Sequence, residues 1–207
     1  NYLEKEYLSK AEKKQIDLSI YTNEQVNPGF VEEIVESPAY EDDNTEHAAV
    51  VDYCVDLSGY SWEELIYWGF ITDMMNNESS VWYDYAKKAG IYNAMTAFVN
   101  VDTAIPYLVF RLLDADTEQK ETFHHGVLRA LENMSENGIG PEIYRACIKS
   151  RELAESLMRE ATAVAVDVSE EIATYWTRTG RIDYHSRYQT CFRRISGDPQ
   201  QQILKKL

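Results

Sequence analysis

Between His47 and Leu57 the chain alternates. Ala49, Val51, Tyr53, Val55 and Leu57 fall on one side, Asp52 and Asp56 on the other. That two-residue period predicts a half-buried strand, broken at Ser58-Gly59-Tyr60. Phe30, Ile34 and Val35 predict an earlier strand that ends at Pro38, followed by an acidic turn at Glu41–Asn44. Two further strands are predicted over Ile91–Val101 and Ala104–Leu113. The short Asp102-Thr103 connection makes them an antiparallel hairpin. Pro106 removes a backbone donor, which predicts an edge position or an irregular ladder for its strand.

The remaining pattern is helical. Ser61-Trp62-Glu63-Glu64 fits a capping box, with Ser61 as N-cap and Glu64 reaching back. The helix behind it carries Leu65, Trp68, Thr72 and Met75 along one stripe. Val81–Ala89 predicts a short helix closed by Gly90. Asp116 is the expected N-cap of a longer helix with Phe123, Val127, Leu131 and Met134 buried and Gly138 as its stop. Pro141 then stands where a helix begins. That helix runs over Glu142–Thr162, with Ile143, Cys147, Ala154 and Met158 inward. Val168–Thr179 is a further helix, Arg181–Ile195 is helical in part, and Pro199–Leu207 predicts a final short one. Tyr2–Lys14 predicts a short helix within a lead-in.

Strands come first and helices afterwards, the signature of an α+β fold: an antiparallel-dominated sheet with helices packed on one face. The expected organisation is a lead-in or interdomain linker over residues 1–28 and a single α+β domain over residues 29–207. With 207 residues the chain can bury a real core. No apolar run approaches the ~18 residues of a membrane helix.

Charge narrows the partners. Twenty basic and 35 acidic side chains leave a formal net charge of −15. This argues against nucleic acid and anionic membranes and suits basic or peptide partners. Cys54, Cys147 and Cys191 are odd in number and widely spaced, which predicts reduced thiols and points to a cytoplasmic setting.

Motifs for chemistry are missing. The histidines are His47, His124, His125 and His185, and no pair has the i, i+4 spacing of a helical metal site. Neither a G-x-S-x-G nucleophile elbow nor a phosphate-binding glycine loop occurs. The acidic pairs Glu63-Glu64 and Glu170-Glu171 fall in first helical turns, where they complement the helix dipole. Two aromatic clusters remain, and they supply the candidate interface: Trp62, Trp68, Trp82 and Tyr83 in one, Tyr175, Trp176 and Tyr188 in the other. Trp and Tyr are enriched at interfaces. Core packing is the plainer explanation of both clusters.

Several stretches together resemble a known family. Ser79–Tyr85 is similar to a small-residue, Pro/aromatic segment, and Lys88-Ala89-Gly90-Ile91 to a Gly-Leu strand entry. Pro106–Phe110 with Asp114-Ala115-Asp116 resembles the strand and turn before a long helix. Glu136–Glu142 resembles a helix break of the form G-I/F-x-P/D-E/D. In order and spacing, residues 47–160 resemble one homologous domain of the insulinase/pitrilysin zinc metallopeptidases, in the presequence protease (falcilysin-like) branch. Glu6–Lys10 is similar to the linker between its first two domains.

The resemblance implies the second, non-catalytic domain of a four-domain peptidase. It would pack against the catalytic domain and enclose a peptide substrate. The family's closing strand is not recognised. The family's zinc sits on H-x-x-E-H in the first domain, a motif this sequence lacks; zinc is thus implied for the parent chain and no cofactor for this segment. The rival expectations are a stand-alone acidic protein-binding domain and an enzyme without zinc. A homodimer through an uncovered aromatic patch is a further expectation.

Overall fold

The computed structural model describes residue 29 and residues 31–35, 49–103, 105–158 and 164–207. The chain divides into two units, Asn1–Pro38 and Ala39–Leu207. In the first, residues 31–35 are exposed and form no regular element, so the strand expected over Phe30–Pro38 is not formed there. Adjacent Glu32 and Glu33 interrupt the alternation that a strand needs. The expected Tyr2–Lys14 helix, the acidic turn at Glu41–Asn44 and His47 lie outside the described residues.

The second unit is α+β. Its strands are β1 (Ala49–Asp56), β2 (Met95–Asn100) and β3 (Tyr107–Ala115), and its helices are α1 (Trp62–Met75), α2 (Val81–Lys88), α3 (Gln119–Asn137), α4 (Pro141–Met158), α5 (Val164–Thr179) and α6 (Tyr184–Ser196). A 3₁₀ turn covers Leu204–Lys206. The sheet is antiparallel in the order β1-β3-β2. β3 is therefore central, not the edge that Pro106 suggested. Pro106 lies just before the strand, and its carbonyl accepts the Leu57 N–H at 2.9 Å. At that position a missing donor breaks no ladder bond.

Register sets the two faces. Tyr53 and Ala97 both lie opposite Phe110, and Val55 and Val99 lie opposite Leu108. These side chains, with Val51, Met95 and Leu112, form the covered face and join the hydrophobic core. The helices pack on that side.

α1 is the centre of the fold. Leu65, Ile66, Tyr67, Phe70, Ile71, Thr72, Met74 and Met75 are all buried. The expected single stripe is thus too narrow, since a helix apolar on nearly every side must be covered on every side. β2, α2, α4 and α6 provide that cover. The capping box forms as expected: Glu64 Oε2 accepts the Ser61 N–H at 2.7 Å. The Ser61 hydroxyl, which also donates to Glu64 Oε2 at 2.7 Å, and then this backbone bond lower the pKa of the Glu64 carboxyl.

At the C-terminal end of α1, Asn76 leaves the helix and pairs with β2. Its Nδ2 donates to the Ala97 carbonyl (2.8 Å) and its Oδ1 accepts the Ala97 N–H (2.7 Å). Tyr83 Oη donates to the Met95 carbonyl (2.8 Å). Side chains therefore satisfy the outer edge of β2 where another strand would otherwise add.

Later elements differ from expectation in detail. Asp116 is not the cap of α3. Its N–H donates to Gln119 Oε1 (3.0 Å) in a turn, and the helix starts after Glu118. Phe123, Val127 and Ala130 are buried there, and Leu131 and Met134 only half so. Pro141 opens α4 as predicted, yet its buried residues are Tyr144 and Ile148. Ile143, Cys147 and Ala154 are half-buried. The Tyr144 hydroxyl donates toward the carbonyls of Ile195 (2.6 Å) and Asp198 (3.1 Å), tying α4 to the end of α6.

The α3–α4 corner turns on Gly138, whose φ is +75°. Buried Gln201 braces it: Ile139 N–H donates to Gln201 Oε1 and Gln201 Nε2 to the Ile139 carbonyl, both at 2.6 Å. A Cβ on Gly138 would lie 2.9 Å from Gln201 Oε1 and from Lys205 Cε.

Two measurements check these joints. In urea unfolding, Asn76→Ala leaves both Ala97 backbone groups unpaired and is expected to lose about 1–3 kcal/mol. Gly138→Ala combines a left-handed backbone with the close approach of Gln201, and is expected to lose about 1–3 kcal/mol or more. An unchanged midpoint for either variant would contradict the corresponding joint.

Candidate interaction surfaces

The chemistry-bearing residues are dispersed. Among the described residues no group of three or more His, Cys, Asp or Glu side chains converges as a metal site. His124 stacks on Tyr53 at 4.3 Å between ring centroids, with His125 beside it at 6.0 Å. Glu63 bridges Arg187 (3.0 Å) and Arg194 (3.1 Å), while Glu64 caps α1. The acidic pair at the start of α1 is thus a structural clamp. Ser80 is likewise engaged: its Oγ donates to the Met75 carbonyl (2.7 Å) and accepts the Tyr83 N–H as N-cap of α2. The three cysteines are free thiols, each pushed above its ordinary pKa, first by burial.

The seven candidate interface aromatics do not share a surface. Trp82 and Tyr175 are fully buried, so neither can contribute to one. Trp82 packs edge-on against Phe110 at 5.7 Å. Trp62, Trp68, Tyr83 and Tyr188 are half-buried. Trp62 lies T-shaped against Tyr175 (5.2 Å) and Tyr184 (6.3 Å), and Trp68 against Tyr60 (6.2 Å). The indole nitrogens of Trp62 and Trp68 are buried without a hydrogen-bond acceptor. Trp176 alone of the seven is exposed, at 56%. The Trp62 and Tyr175 clusters, which the sequence separates, meet as one aromatic joint between α1, α5 and α6.

Two kinds of surface remain. The first is the open face of the sheet. Asp52, Cys54 and Asp56 of β1 are exposed there, beside half-buried Tyr107 and Arg111 of β3 and Phe98 of β2, while Val109 at the middle of that face is buried. Arg111 forms two parallel bonds to Asp52, at 2.8 and 2.7 Å, with its guanidinium 5.4 Å from the centre of the Phe98 ring. A half-exposed pair of this kind contributes ~1 kcal/mol or less, but it gives the face a fixed charged and aromatic pattern.

The second is a pair of grooves at the α3–α4 corner. One, of about 630 Å³, runs between Ser79–Val81 and Asn137–Pro141 and includes Asp84 and Lys87. The other, about 270 Å³ and mainly apolar, lies between Trp68, Ile71, Leu131 and the C-terminal turn. Both touch Met134, Gly138 and Ile139.

Thiol labelling checks the cysteine environments. Cys54 is exposed, Cys147 half-buried and Cys191 buried. One thiol is expected to react readily in the native protein. Because burial and Asp52 raise the Cys54 pKa, its rate should still be climbing above pH 9, as thiolate is the reactive form. Fast labelling that is flat above pH 8 would contradict this environment.

Among the described residues no helix is long and apolar enough to cross a membrane. No family model matches the chain, and no curated protein or solved structure matches it.

Proposed function

We propose that this domain is a non-catalytic, structural and substrate-enclosing part of a larger zinc-dependent peptidase that degrades peptides. The observation that carries this reading is the one-sided sheet. Its helices stabilise one face, and the other presents Asp52, Arg111, Phe98 and Tyr107 as a patterned wall. Such a wall suits contact with an extended peptide or a neighbouring domain. The family resemblance of residues 47–160 supports the same reading. On this reading the zinc ligands come from another domain of the parent chain, since this sequence lacks H-x-x-E-H.

A specific observation favours the second reading, a stand-alone acidic protein-binding domain. Trp176 and Val166 expose apolar surface on one helix. The two readings separate in the encoding reading frame and in a peptide-cleavage assay. The peptidase reading expects H-x-x-E-H upstream in the same polypeptide. It also expects chelator-sensitive cleavage by that polypeptide and none by the 207-residue chain. A start codon adjacent to Asn1, or cleavage by the isolated chain, would sink it.

A further inference from the structure

The sequence contains a single Asn-Gly step, Asn137-Gly138, and it falls at the end of α3. In such a step the glycine backbone nitrogen can attack the preceding side-chain amide, since no Cβ blocks its approach and its backbone turns freely. Asn137 is exposed, at the rim of the larger groove. Other asparagines of the domain are placed differently. Asn76, Asn77, Asn93 and Asn100 each hold a backbone group with the side-chain amide. Each is also followed by a residue that has a side chain. Asn133 lies inside α3, one turn earlier, and precedes Met134.

The folded corner restrains the reaction. Attack requires Asn137 to leave its helical conformation and the Gly138 nitrogen to give up its proton. That N–H donates to the Met134 carbonyl at 2.8 Å. The next residue, Ile139, is held by both amide atoms of Gln201 at 2.6 Å. Gln201 Oε1 also lies over Gly138, 2.9 Å from where a Cβ would stand. Reaction therefore waits for the last turn of α3 to open. A helix end opens locally at less cost than the whole domain unfolds, and the Gln201 brace is the main part of that cost here.

We propose that Asn137 is a self-modifying site, which deamidates in the folded protein through local opening of the α3–α4 corner, with Gln201 setting the rate. The Gly138 nitrogen forms a bond to Asn137 Cγ, the Cγ–Nδ2 bond breaks, and Nδ2 leaves as ammonia with the proton that Gly138 loses. Water then opens the cyclic imide at either carbonyl, to aspartate or isoaspartate. Aspartate puts a charge at the C-terminal end of a helix, where the dipole disfavours it. Isoaspartate adds a methylene to the main chain between residues 137 and 138, so the Met134–Gly138 bond and the Ile139–Gln201 pair no longer fit the same spacing. Either product loosens the corner that borders both grooves. The inference does not depend on the peptidase reading.

Ageing of the 207-residue chain at mildly alkaline pH, followed by tryptic digestion, tests it. The peptide Ala130–Arg145 carries Asn133 and Asn137 together, so fragmentation in a mass spectrometer assigns the amide-to-acid change to one or the other. Asn137 is expected to convert first among the asparagines of residues 49–207, in part to isoaspartate, which isoaspartyl methyltransferase labels. Its rate should exceed that of the urea-unfolded chain multiplied by the fraction unfolded in buffer. Gln201→Ala, with unchanged far-UV circular dichroism, should convert about tenfold faster. Hydrogen exchange of the wild type, which needs no variant, should be faster at Gly138 than at Val127 and Ala130. Conversion at another asparagine first, or at Asn137 no faster than global unfolding allows, overturns the proposal. A folded Gln201 variant that converts at the wild-type rate, or a Gly138 amide as protected as those of Val127 and Ala130, overturns it equally.

Discussion

The fold depends on the need to cover α1. A helix with buried residues on nearly every side cannot stand at the surface, and each large neighbour answers one of its sides. β2 lies along one, and α2, α4 and α6 along others. Phe70 illustrates the arrangement. It contacts Tyr188 and Phe192 of α6, both at 5.7 Å between ring centroids, while the Arg151 guanidinium of α4 sits 5.8 Å from its ring centre. Arg151 also pairs with Asp73 of α1. Covering one apolar helix therefore brings the sheet and the later helices into a single core.

Polar groups finish what burial begins, mostly at element ends. Asn76 closes the edge of β2, Gln201 braces the α3–α4 corner, and Tyr144 joins α4 to the end of α6. Glu63 draws Arg187 and Arg194 onto the start of α1. The Arg187 guanidinium also reaches Asp183 (3.2 Å), which in turn pairs with Arg181. Exposed ion pairs contribute little singly. Arg187 and Arg194 tie α6 to the start of α1.

Short-range patterns were readable in the sequence, and long-range pairings were not. The alternation of residues 49–57, the Ser61–Glu64 box and Pro141 each encode structure within a few residues, and each appears where expected. The position of β3 in the sheet depends on a partner more than 50 residues away, so Pro106 misled. The stripe drawn on α1 was too narrow for a similar reason. Local periodicity shows which residues are apolar, but not how many neighbours converge on them. Asn76 and Gln201 carry no signal at all, since an amide that replaces a strand or braces a glycine looks in sequence like any loop residue. The aromatics were legible as clusters. Their fate was not, because Trp62 and Tyr175 meet only after 113 positions of chain have folded.

That joint also explains why α5 differs from the other helices. Tyr175 enters the pocket between Trp62 and Tyr184, and Arg178 reaches the β2–β3 connection through the Val101 and Thr103 carbonyls. Both anchors lie in the last turns of the helix. Its first half, including Val166, has no fully buried side chain. On this reasoning α5 is held by its last turns, and exposed Val166 and Trp176 remain outside the domain's own core.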